Sequence, residues 1–242
     1  MITAAAIVPH PPLLYRELAG SVDPAAELRD AAADVVRRLL SGPVDRVVVL
    51  GRDDVASGSD SPDPEQPLLR AGTTRTDVRR FGTVEPREAT TSPGLPLSLG
   101  VGRRLLDEAG WDGTTELVAV PPDATGPGAL SLATEIASRP GSTALLVLGE
   151  GSARRGQAAP GFLDERAFGY DDALAAAVAS GDAATLLGLD PGLADDLMVL
   201  GRAAFAVLGA CVLADGGTVQ ADLTYRDDPF GVTYLVALWS LH

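Results

Sequence analysis

Residues 4–8 form an unbroken apolar run that predicts a buried strand, ended by Pro9 and followed by His10, Pro11 and Pro12. Helical spacing comes next. Asp23 is the expected N-cap, Pro24 the first helical residue, and Leu28, Ala32, Val35 or Val36, and Leu39 the apolar face. Gly42 and Pro43 stop this helix, and residues 44–50 (VDRVVVL) read as a second buried strand running into Gly51-Arg52-Asp53-Asp54. The stretch 56–67 is rich in Ser, Gly, Asp and Pro and predicts a loop, whereas 74–96 fits either a short helix or an edge strand. Further along, 97–109 and 129–138 predict helices, and 116–120 and 143–148 predict strands. Residues 164–216 are helical in pattern, with breaks at Gly181-Asp182 and Asp190-Pro191, and 218–226 and 231–241 alternate like two strands.

Buried strands alternating with helices indicate an α/β fold. The expectation is a single three-layer α/β/α sandwich over residues 1–242, with a central mostly parallel or mixed sheet. In such sheets ligands bind at the carboxyl ends of the strands, which is where His10 falls. It is one of two histidines in the chain; the other is the terminal His242.

Composition narrows the function classes. The net charge of −14 disfavours nucleic acid and anionic membranes as partners. All nineteen basic residues are arginine, so lysine Schiff-base chemistry and the P-loop are excluded. The one cysteine, Cys211, lies in an apolar helical run and reads as core, and a cytoplasmic location is expected. The Ala, Arg, Gly and Pro bias fits a high-GC bacterium.

The strand-end loop Gly149-Glu150-Gly151-Ser152-Ala153-Arg154-Arg155 carries the next chemistry. Gly149 and Gly151 would let backbone N–H groups approach a ligand, and Arg154 and Arg155 would clamp a carboxylate or phosphate. The alternative is a tight turn with two surface arginines. Ser152 follows a strand as nucleophiles do, but the G-x-S-x-G elbow is absent.

Taken in order, IVPHPPLL, VVVLGRDD, LVLGEGSARR, LMVLGRAAFAVLGA and DDPFGVTYLVALWS resemble the class III extradiol ring-cleavage dioxygenase family and the related Memo-type proteins. The resemblance implies an α/β/α sandwich whose strand-end loops hold one non-haem Fe(II), bound by two histidines and a carboxylate, with a further histidine as acid/base. His10 matches the first iron histidine. Asp54 stands where active members carry the second, and Ala153 where they carry the catalytic histidine. Leu200 takes the place of the cysteine that precedes Gly-Arg in Memo-type relatives, here Gly201-Arg202.

Alanine cannot transfer a proton, and one imidazole with one carboxylate holds iron weakly. The preferred expectation is a relative that has lost the standard iron centre, carries no cofactor, and binds a small molecule in a strand-end cleft lined by Arg154, Arg155, Gly149 and Gly151. Glu150 and Ser152 are its candidate catalytic residues. One alternative is an oxygenase or altered enzyme holding Fe(II) or another divalent metal through a rearranged His10–Asp54–Glu150 set. There Glu150 would replace the lost base only if burial raised its pKa. The other alternative is a non-catalytic component of a homo- or hetero-oligomer.

Overall fold

In the computed structural model, residues 1–19, 23–53, 68–69, 95–124 and 126–242 are described. The expectations for 56–67 and for most of 74–96 lie outside these residues, as does Asp54.

Seven strands form one sheet: β1 (Ile2–Val8), β2 (Arg46–Arg52), β3 (Leu68–Leu69), β4 (Thr114–Val120), β5 (Thr143–Leu148), β6 (Val219–Asp227) and β7 (Tyr234–Leu241). Their order is β3-β4-β2-β5-β1-β7-β6. The β4-β2-β5-β1 centre is parallel, and β3, β7 and β6 pair antiparallel at its two sides. The sheet is therefore mixed, within the expected architecture.

The helices are α1 (Ala26–Leu39), α2 (Leu97–Glu108), α3 (Gly126–Ala137), α4 (Arg166–Ser180), α5 (Ala183–Leu187), α6 (Pro191–Asp196) and α7 (Arg202–Asp215). The two-residue period of the strands sorts the core into two layers. Leu145 and Val147 face α3, α4, α5 and α7 with Ile7, Val48 and Leu50. Ala144, Leu146 and Leu148 face α1 and α2 with Val8, Val47 and Val49. α1, which lies between β1 and β2 in sequence, and α2, which precedes β4, pack on one face, and α3, between β4 and β5, packs on the other. Opposite directions of travel require opposite faces if each crossover is right-handed.

Helix ends follow the predicted breaks in part. Asp182 and Asp190 each accept a backbone N–H, from Thr185 and Leu193, and Pro191 opens α6. Asp23 does not cap α1, whose N-cap position is Ala25. Its carboxylate is held by the guanidinium of Arg29 and by Arg16, a stronger attraction than a single helical amide offers. β6 alternates as predicted, but β7 is buried on both faces, because it lies inside the sheet between β1 and β6. Cys211 is fully buried, and burial followed by the charge of Asp215 pushes its thiol up to about 12, so it is core. Among the described residues no helix is long and apolar enough to cross a membrane.

Candidate functional site

The parallel centre brings the carboxyl ends of β1, β5, β2 and β4 to one edge. Val8 pairs with Leu148 at the last rung, and the Gly149 N–H still donates to the Val8 carbonyl at 3.0 Å. His10 and Glu150 each lie two residues past that rung, so register alone makes them neighbours. The His10 backbone N–H donates to Glu150 Oε2 at 3.0 Å. His10 Nδ1 lies 3.0 Å from the same oxygen, within ion-pair range but without the alignment of a hydrogen bond. Both side chains are more than nine-tenths buried.

Burial is the largest influence on Glu150 and pushes its pKa up. Attraction to His10, the contacts from that residue and the charge of Arg52 together outweigh it, so the carboxyl is held below its usual range. Glu150 therefore lacks the raised pKa a substitute base would need. It is a fixed anion beside the histidine. Burial, and then the Glu150 charge, push the Tyr234 phenol up.

The other loop residues hold structure together. Ser152 has no exposed surface; its N–H and Oγ–H donate to Asp171 at 2.8 and 2.5 Å, and Thr233 Oγ1 donates to the same carboxylate at 2.7 Å. Its hydroxyl is thus occupied and faces no cleft. A Cβ on Gly149 would lie 2.6 Å from the Gly201 Cα, and one on Gly151 would lie 2.6 Å from Asp171 Oδ1. These glycines allow close packing of the loop on α7 and α4, a different use from cradling a ligand. Arg155 is engaged by the Asp228 carboxylate and stacks 4.6 Å from the Phe168 ring centroid. Arg154 packs its stem against Gly161, with Nε buried and unbonded among the described residues. Ala153 is buried, and its N–H donates to the Leu197 carbonyl at 3.1 Å.

A cleft of about 460 Å³ opens at the ends of β2 and β4. Its wall contains Arg52, Pro122, Asp123, Asp195, Met198, Val199 and Leu200. Arg202, buried at the start of α7, donates to the Ala124 carbonyl at 2.7 Å and to the Pro122 carbonyl, fixing the β4–α3 loop on either side of Asp123.

The structure thus joins His10 to Glu150, places Ser152, Gly149 and Gly151 behind them as packing residues, and turns Arg155 away to Asp228. Sequence reasoning missed Arg52, Asp171, Thr233 and Arg202. Asp171 was detectable, since it occupies the apolar stripe of α4 with Ala167, Leu174, Ala175 and Val178, where a carboxylate needs a partner.

The resemblance implies Fe(II), and the donor set is the test of it. His10 and Glu150 supply one imidazole and one carboxylate that are already in contact with each other. Among the described residues no group of three His, Cys, Asp or Glu is placed to hold a metal ion. A facial iron site needs three protein ligands, so the described residues do not fit one.

No family model matches the chain, and no curated protein matches it. Among solved structures, the chain is similar to the uncharacterized protein JW3007 from Escherichia coli K12. That likeness has 12% identity and a TM-score of 0.47, over 98% of this chain and 99% of the other.

Proposed function

We propose that the protein is a relative of the class III extradiol ring-cleavage dioxygenases that binds a small carboxylate-bearing molecule at its strand ends. In this reading a His10–Glu150 pair occupies the place of the iron centre. The observation that carries it is the position of Arg52. This residue forms part of the cleft wall, and its charge also acts on buried Glu150. A guanidinium at a strand end is suited to a carboxylate, which it binds through charge-assisted hydrogen bonds. The cleft volume lies in the range of small-molecule sites, and the carboxyl ends of parallel strands are where such sites form.

The test is thermal unfolding in rising concentrations of acetate, butyrate and benzoate, with chloride held at matched ionic strength. At least one carboxylate is expected to raise the midpoint of the wild type, and Arg52→Gln to lose the effect. Equal stabilisation of Arg52→Gln would remove the reading.

A second reading is favoured by one observation, the convergence of His10 and Glu150. If both turned their free lone pairs toward a cation, they would supply two ligands of a divalent-metal site in an altered oxygenase. Metal content separates the two readings.

A further inference from the structure

The cleft beside Arg52 is lined by charges of both signs. Asp123 lies on the β4–α3 loop and Asp195 on α6, both exposed, and both share the cleft wall with Arg52. Among the described residues neither carboxylate is in ion-pair contact with Arg52 or with any other arginine, although elsewhere on the surface arginine–carboxylate pairs are frequent.

The backbone around these residues is hydrogen-bonded. Arg52 ends a central strand, in register with Val120 of β4. The carbonyls of Pro122 and Ala124, on either side of Asp123, are both held by buried Arg202. The Asp195 carbonyl accepts the Met198 N–H at 3.1 Å, and the Val199 N–H donates to the Ala194 carbonyl at 2.8 Å. Met198 itself sits at φ 56°, in the left-handed region that residues other than glycine rarely adopt. Hydrogen-bonded backbones therefore carry an arginine and two carboxylates into the wall of one cleft, which Met198, Val199 and Leu200 also line as a partly apolar surface.

We propose that this cleft takes a small zwitterion, its carboxylate on Arg52, its ammonium toward Asp123 and Asp195, and its short carbon frame against Met198, Val199 and Leu200. The inference rests on the carboxylate-binding reading above and adds the second charge. Among the described residues, a ligand with one charge would leave the cleft groups of its own sign with no counter-charge. A molecule carrying both charges pairs with both kinds of group at once, and the hydrogen-bonded backbones that carry them lower the cost of ordering the cleft on binding.

The experiment is isothermal titration of glycine, β-alanine, γ-aminobutyrate and ε-aminocaproate, with butyrate and n-butylamine as single-charge controls. The proteins are the wild type, Arg52→Gln, Asp123→Asn and Asp195→Asn. All three substitutions lie outside the core, and unchanged circular dichroism and midpoints of unfolding verify the fold. One amino acid of the series is expected to bind the wild type roughly tenfold or more tightly than either control. Arg52→Gln and at least one of the aspartate variants should each weaken it by a similar factor, as the loss of a charged hydrogen bond does. If butyrate binds as tightly as the best amino acid and only Arg52→Gln weakens it, the zwitterion is wrong while the carboxylate reading stands. If no probe binds the wild type, both are wrong.

Discussion

Asp171→Ala is expected to lower the free energy of unfolding by about 3–5 kcal/mol, measured by urea denaturation. Asp171 has no solvent exposure and accepts the Ser152 N–H, the Ser152 hydroxyl and the Thr233 hydroxyl. Removing the carboxylate strands three donors in the interior, and each costs about 1–3 kcal/mol of desolvation, partly relieved by rotation of the two hydroxyls. Arg155, 3.7 Å away, would keep only Asp228 as its carboxylate partner among the described residues. Asp171→Asn keeps one acceptor oxygen but turns an N–H toward a donor, so it should be destabilised less than the alanine variant and still clearly. A loss below about 1 kcal/mol for Asp171→Ala would show that the loop 149–155 is held by something else.

Glu150→Ala is expected to cost about 1–3 kcal/mol, because it leaves the buried His10 backbone N–H without its acceptor. Here pH supplies the sharper measurement. Glu150 is held below its ordinary value of 4.5, since attraction to His10, the contacts from that residue and the Arg52 charge outweigh burial. A carboxyl depressed in the folded state stabilises the fold above its unfolded pKa and loses that contribution as pH falls through its folded pKa. The stability gap between wild type and Glu150→Gln should therefore shrink as pH falls below about 4.5. A gap that widens in acid would mean that Glu150 is protonated in the folded protein, and the ion-pair description would be wrong.

These two carboxylates show why part of the site was legible in the sequence and part was not. His10 and Glu150 follow apolar runs that pattern alone identifies as strands, and once β1 and β5 are adjacent their meeting is a matter of counting two residues past Val8 and Leu148. That β5 lies between β1 and β2 is a property of topology, which one sequence does not encode locally. The strands and most helices were readable because their apolar periods differ, two against 3.6. Asp23 was misplaced because its sequence position suits a cap, while the Arg29 guanidinium that claims it depends on the helix already being formed. Ser152, Gly149 and Gly151 looked like a ligand loop because glycine and serine serve equally well where backbone must approach backbone. Only the neighbouring Gly201 and Asp171 show that packing sets their identity. Arg52 and the two cleft aspartates were not picked out as site residues, since single charges at the ends of elements or in loops carry no periodic signal.

We propose that the His10–Glu150 pair stands where the resemblance implies a metal. The most direct test is the metal content of untagged protein offered Fe(II) without oxygen, and separately Mn(II), Zn(II) and Mg(II), for wild type and His10→Ala. Far less than one metal per chain is expected, with no difference between the two proteins. Near-stoichiometric metal in the wild type that disappears in His10→Ala would contradict that reading and would make His10 a ligand of a metal site.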